Sequence, residues 1–327
     1  MKNLVVTSVA ILVVTACGST SSTPTSSSGP SKVASIAAEV SSDMAKLEPF
    51  QIATDATYAP NEFIDPNTGA ITGWDIDLGL AICKVMGVAC TFNNVTFDDI
   101  IAQLKASTPS EMAGGDTPRY VFSISSWSPT AKREQSGIDF ITYYKAGEAW
   151  IEKASGGPTI NSAADMCGHS VAVESGTTEE SDAWGYMGQN VGGTAISGDT
   201  DNCKKAGKDD IKVLSFSTQT DANTALQSGR ADIGWLDQPV ADYQVHQSGG
   251  KLKLGGQPCS VAPYGIAIVK GSALEKPITD AIKYLMDNNN YYKNVLNQWG
   301  VADGAITSAD VTLNNNNSIG ATCVPAY

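Results

Sequence analysis

The run Ser126-Trp127-Ser128-Pro129-Thr130-Ala131-Lys132-Arg133 sets hydroxyls beside a guanidinium. Arginine presents a planar fork of donors that grips a carboxylate through two parallel hydrogen bonds. Thr130, three positions earlier, falls one helical turn away on the same face. Its hydroxyl and the free N–H groups of a first turn can meet the same anion. Arginine occurs only at positions 119, 133 and 230, so Arg133 in this setting reads as more than background surface charge. A second anion cradle is written in Glu174-Ser175-Gly176-Thr177-Thr178-Glu179-Glu180. Glycine permits a tight turn, and the hydroxyls with the first helical amides accept negative charge. The plain alternative is a capped loop between strand and helix. Candidate partners for positive charge lie elsewhere. Asp55, Thr57 and Tyr58 place a carboxylate, a hydroxyl and a ring within four residues, one wall of a small polar pocket. Asp237 ends the run Ile233-Gly234-Trp235-Leu236, at the carboxyl end of a strand, where open α/β sheets bind ligands.

The elements that position these residues alternate between strand and helix. Phe50 to Thr54 reads as a strand leading into the Asp55 loop, and Asp65-Pro66-Asn67-Thr68-Gly69 as a turn. An amphipathic helix runs to Met86 with Asp75 and Asp77 in its first turn, where the helix dipole favours acids. A strand at Ala89 to Asn93 and a helix from Phe97 follow, then strands at Tyr120–Ser125, Ser170–Val173, Lys212–Phe216 and Ile233–Leu236, with a helix at Gln219–Ser228. This order predicts α/β architecture with central sheets flanked by helices.

At the amino end, Met1-Lys2-Asn3 precedes an apolar stretch, Leu4 to Ala16, too short to span a bilayer stably. It ends in Val14-Thr15-Ala16-Cys17-Gly18, which resembles a bacterial lipoprotein cleavage site with Cys17 as the lipidated residue. Residues 18–32 are almost all Ser, Thr, Pro and Gly and predict a flexible tether. The formal charge of −13 disfavours nucleic acid as a partner. Seven cysteines occur, and with Cys17 lipidated an even six remain, which in an exported chain predicts three disulfides. Fifteen pairings are open to six cysteines. A metal site is not expected: there is no C-x-x-C, and the histidines are only His169 and His246.

Thr54 to Leu80, TDATYAPNEFIDPNTGAITGWDIDLGL, resembles the opening motif of the family 3 extracellular solute-binding proteins of ABC importers, "TDATYxPFEF…GxxxGFDxDL". Asn61 and Trp74 depart from it, each standing where the family has Phe. Further matches are the S/G-x-T-x-T-x-x-R signature ending at Arg133, the SGTT element, and Ser228-Gly229-Arg230-Ala231-Asp232 through Asp237-Gln238-Pro239-Val240-Ala241. The resemblance extends from Phe50 to Val301. Two local departures are an insertion at Ser107–Arg119, which lacks a family Asp, and one extra residue near Gly137.

The resemblance implies a two-lobe, type II periplasmic-binding-protein fold with two hinge crossings and no cofactor. The expected division is residues 1–16 as signal peptide, 17–47 as lipid-anchored tether, 48–146 with 260–327 as one lobe, and 147–259 as the other. The preferred disulfide set is Cys83–Cys90, Cys167–Cys203 and Cys259–Cys323, the first resembling a close pair in lysine/arginine/ornithine-binding relatives. The implied function is capture of a free polar amino acid, expected to be cationic, and its delivery to an ABC permease. The chain is expected to be a monomer held to the outer face of the cell membrane by lipid on Cys17. The ligand α-carboxylate is expected at Arg133 and Thr130 with Thr177 or Thr178, and its ammonium at Asp237; Ser126 and Ser128 are expected among the ligand-binding residues. Tyr58, Phe97 and Trp127 flank its side chain, and Asp55 and Glu174 face the distal end, favouring lysine, arginine or ornithine. Glutamine, glutamate, histidine and cystine stay as alternative ligands. An enzyme resembling cyclohexadienyl dehydratase, with Glu174 as a poised acid, is a second reading, and a sensing module acting through a separate partner is a third.

Overall fold

The computed structural model describes residues 29–106 and 119–324. The expected signal peptide, Cys17 and most of the insertion, residues 107–118, lie outside the described residues. Among the described residues no helix is long and apolar enough to cross a membrane.

One eight-stranded sheet runs through both lobes. From edge to edge its strands are Lys212–Phe216, Ser170–Glu174, Ile233–Asp237, Ile138–Lys153, Leu252–Val269, Phe122–Trp127, Phe50–Thr54 and Cys90–Asn94. The two central strands are 16 and 18 residues long and antiparallel, in register from Ile138↔Val269 to Lys153↔Leu252. Each belongs to both lobes. Strands 122–127, 50–54 and 90–94 extend the first lobe, and strands 233–237, 170–174 and 212–216 the second. Register breaks between Gly255 and Cys259 and again between Cys259 and Ala262, so the pair is irregular where it passes between the lobes. Each lobe has its own core. Phe50, Ile52, Trp74, Ile82, Phe122 and Ile282 are fully buried in the first; Val171, Val173, Ile233 and Trp235 are buried in the second.

Most expected elements are present within one residue, including the helices Trp74–Met86 and Gln219–Ser228. Gly73 caps the first of these at φ 132°, where a Cβ would lie 2.1 Å from the Asn61 carbonyl oxygen, so only glycine fits. The stretch Gly188 to Lys208 contains a short hairpin and the helix Asn202–Lys205. Cys83–Cys90, Cys167–Cys203 and Cys259–Cys323 are bonded, the expected set.

The expected tether is corrected at its carboxyl end. Residues 34–37 and 42–45 are short helices, and Ile36 and Met44 are buried in the first-lobe core. The reason is visible in the apolar spacing Val33, Ile36, Val40, Met44, Leu47, which presents one face to the lobe. The tail after Trp299 is also docked. Leu313 bridges Ile141, Ile319 bridges Val261, and Cys323 is fastened to Cys259.

Candidate ligand-binding site between the lobes

A small cavity lies where the lobes meet. The first lobe contributes Asp55, Tyr58, Glu62, Phe97, Ser125, Ser126, Ser128 and Arg133; the second contributes Glu174, Thr177, Thr178, Glu179 and Asp237. Asp55 follows strand 50–54, and Asp237 ends strand 233–237, so both carboxylates project from strand ends. Thr177 and Thr178 open the helix Thr178–Tyr186, where Thr177 Oγ1 accepts from Glu180 N at 3.2 Å and donates to Glu174 O at 2.8 Å.

The lobes touch directly around the cavity. Arg133 Nη2 donates to Gly176 O at 2.9 Å, while Nη1 donates to Ser128 O at 2.6 Å within its own lobe. Gln219 N donates to Thr57 Oγ1 at 3.1 Å, Asp237 N to the Tyr58 hydroxyl at 3.0 Å, and Ser175 Oγ to Asp98 Oδ2 at 3.3 Å. Gly176 is required here. Its φ is 81°, and a Cβ would lie 2.7 Å from Asp98 Oδ1 in the opposite lobe. This is the closed arrangement of a two-lobe fold.

Five carboxylates and one guanidinium line the cavity. The Arg133 side chain stacks over Trp127 at 4.9 Å and Phe97 at 5.4 Å, and those two rings stack on each other at 4.0 Å. Burial lowers Arg133 to about 10, with the charges of Glu179, Asp237 and Asp98 opposing, so it is cationic at neutral pH. Asp55 Oδ1 accepts from Thr57 Oγ1 at 2.6 Å and Oδ2 from Phe97 N at 2.7 Å. Glu174 Oε1 accepts from Gln219 N at 3.0 Å and lies 3.5 Å from Thr57 Oγ1, so one hydroxyl joins two acids of opposite lobes. Burial, then the Asp55 charge, pushes Glu174 well above the usual carboxylate range; burial also raises Asp55. Asp237 rises to about 6 and Glu179 well above its ordinary value, both chiefly by burial. Glu179 Oε1 has no donor among the described residues.

Of the residues expected from sequence, Asp55, Tyr58, Phe97, Ser126, Ser128, Arg133, Glu174, Thr177, Thr178 and Asp237 meet at this cavity. Trp127 and Thr130 do not line it. Trp127 points into the first-lobe core, 2% exposed, and backs Phe97 and Arg133 instead. The Thr130 hydroxyl caps the helix Ala131–Gln135 by accepting from Arg133 N. Glu62, Ser125 and Glu179 line the cavity and were not anticipated. Alternation along the strand Glu62–Ile64 turns Glu62 inward, a signal present in the motif itself. Glu179 follows directly on the recognised Thr177-Thr178 pair.

Behind the cavity lies a hydrogen-bonded network. Glu62 Oε1 accepts from Ser125 Oγ at 3.1 Å and Oε2 from Ser126 Oγ at 3.3 Å. Asp75 Oδ2 accepts from Ser126 N at 3.0 Å and the Tyr143 hydroxyl at 2.8 Å. Burial lifts Asp75 to about 7 and, with the Asp75 charge next, lifts Glu62 well above its ordinary value. Asp75 Oδ1 has no donor among the described residues. Ser126 adopts φ 51°, a strained conformation for a residue with a Cβ, and this network holds it there. Asp232 and Arg230 serve structure: Asp232 accepts from Ser170 N and Oγ, and Arg230 covers the Phe216 ring.

Residues 50–302 match the family described as bacterial extracellular solute-binding proteins, family 3. The chain is 28% identical over 280 residues to the arginine-binding protein ArgT of Corynebacterium glutamicum, across 86% of this chain and 83% of that protein. It is 34% identical over 201 residues to the lysine/arginine/ornithine-binding periplasmic protein of Escherichia coli, across 62% of this chain and 65% of that one. Among solved structures, an ancestral arginine-binding protein bound to arginine is similar with a TM-score of 0.63 at 31% identity, covering 76% of this chain and 97% of the other.

Proposed function

We infer the function from a plain premise: the chain belongs to the bacterial extracellular solute-binding proteins, family 3. It captures a cationic amino acid, arginine before lysine, between its lobes and hands it to an ABC permease. The carrying observation is the excess of acidic groups on the cavity wall, Asp55, Glu62, Glu174, Glu179 and Asp237 against Arg133 alone. A buried charge is tolerated only when it is paired. A neutral amino acid brings one positive group to this wall, and a cationic one brings two. The α-carboxylate goes to Arg133 and the Thr177–Thr178 turn, and the ammonium to Asp237 and Glu179. The aliphatic stem lies between Tyr58 and Phe97, and the terminal cation meets Asp55 and Glu174. A guanidinium, planar and five-donor, spans two carboxylates better than a point-charged ammonium. Similarity to proteins named as arginine-binding supports this assignment. The chain acts as a receptor without a chemical step, as a monomer tethered outside the membrane by lipid on Cys17.

Calorimetric titration of the unfolded and refolded, ligand-stripped protein against each common amino acid tests the reading. Arginine is expected to bind tightest and to be recovered unaltered by mass spectrometry. Arg133→Ala and Asp237→Ala should each cost at least a hundredfold in affinity, as expected for truncating one member of a buried charge pair. Tight binding of glutamine with none of arginine would remove the side-chain argument. Recovery of a chemically changed product would replace the receptor with the enzyme.

A further inference from the structure

The lobes meet a second time, away from the ligand cavity. A cleft beside the hinge is lined by Pro60, Trp299 and Asp303 of the first lobe and by Gln238, Asp242 and Tyr243 of the second. The Phe63 ring spans the two lobes here. Its centroid lies 6.0 Å from that of Trp299, edge to face, and 6.5 Å from that of Tyr243. Trp299 is anchored in the first lobe by donating from Nε1 to Asp77 Oδ2 at 2.8 Å. Tyr243 sits on the helix Gln238–Gln247, which begins directly after Asp237. Phe63–Tyr243 is the only ring pair that crosses between the lobes among the described residues.

Both partners are chained to the ligand cavity. Phe63 is the middle residue of the strand Glu62–Ile64, and its neighbour Glu62 faces the cavity on the other side of the strand. Register fixes this arrangement: Phe63 pairs with Thr57 on one side and Thr72 on the other. Asp237, at the start of the other helix, lines the cavity, and its N–H is held by the Tyr58 hydroxyl. A displacement that carries the strand Glu62–Ile64 away from the helix Gln238–Gln247 separates Phe63 from Tyr243.

We propose that Phe63 and Tyr243 form a closure latch: a cross-lobe aromatic contact that touches no ligand and sets affinity by favouring the closed arrangement. The latch presumes that the lobes close on a ligand, as the receptor reading holds. It acts on closure itself, so it scales the affinity of every ligand alike. Phe63 and Tyr243 are positioning residues, and specificity stays with the cavity.

The test is a double-mutant cycle with L-arginine and L-lysine as probes, read by calorimetry and stopped-flow release. Phe63→Ala and Tyr243→Ala should each weaken both ligands by the same factor, about three- to tenfold, the scale of one aromatic pair. The loss should appear as faster release. The double variant should be no worse than either single, and Tyr243→Phe, which keeps the ring, should bind like the parent protein. A fluorescence energy-transfer pair, one dye per lobe, reads closure without ligand: Phe63→Ala should shift the distribution toward greater separation. Additive single effects, a change in the arginine-to-lysine ratio, or an unshifted distance distribution would each overturn the latch. If neither amino acid binds the parent protein, the receptor assignment fails on that result, and the lobe distances alone decide the latch.

Discussion

Two pairs of buried acids flank the cavity, and they are built differently. Glu62 and Asp75 both belong to the first lobe, and fixed donors from Ser125, Ser126 and Tyr143 surround them. Asp55 and Glu174 belong to opposite lobes and share one hydroxyl, that of Thr57. The first pair is complete in one lobe, open or closed. The second exists as a pair only when the lobes close. Like charges brought together in a low-dielectric site repel unless a cation or a proton intervenes. The intralobe pair braces the first-lobe wall, and the interlobe pair is where the proposed cationic side chain would be selected.

The largest effect that separates the two pairs is on stability. Asp75→Ala leaves the Tyr143 hydroxyl and Ser126 N–H without their acceptor. It should cost about 3 kcal/mol in chemical denaturation while leaving the order of ligand preference intact. A selectivity change without a stability loss would reverse the roles. Glu174→Gln should do the opposite. Arginine affinity by calorimetry should fall about 10- to 100-fold, with stability unchanged or raised, because a like charge beside Asp55 is gone.

The pH responses sharpen the contrast. Asp75 rises from its ordinary 3.8 to about 7 in the folded protein, so the folded state holds a proton there that the unfolded chain has lost. Stability from this group is present below about pH 4 and declines as pH rises to about 7. Melting temperature of the ligand-free protein should follow that slope, and Asp75→Asn should flatten it. Ligand affinity runs the other way. Asp237, at about 6, must lose its proton to meet an ammonium, so arginine should bind about tenfold more tightly at pH 7 than at pH 5. The smallest expected effect is that of Thr57→Val, which removes the hydroxyl between Asp55 and Glu174. It should weaken arginine binding about three- to tenfold, with the loss confined to cationic ligands in a comparison with glutamine.

Much of the site was legible because its residues stand at ends of elements. Strand ends and first turns announce themselves through glycine, hydroxyl and carboxylate spacing, as at Asp55, Thr177 and Asp237. Arg133 stood out through the rarity of arginine and the signature ahead of it. Thr130 lies outside the cavity lining, and its hydroxyl caps the helix Ala131–Gln135 by accepting from Arg133 N. Trp127 was misplaced because its direction depends on the strand's twist into the core; it donates to Ser123 Oγ at 3.0 Å and lies beneath Phe97. The amino-terminal residues were read by composition, which hid a period of three to four that docks Ile36 and Met44.

The sequence by itself determined the alternation of strands and helices, the family motif and the residue types that meet in the site. Each is local, written in spacings of two to seven residues that backbone geometry converts directly into an element or a turn. Only the tertiary structure decided that Glu62 and Glu179 share the cavity with Asp55, Glu174 and Asp237, and that Phe63 reaches Tyr243. Those proximities join residues up to 182 positions apart, as from Asp55 to Asp237. They depend on two lobes meeting across a hinge, where the collective charge of one wall, rather than any single spacing, sets what it can hold.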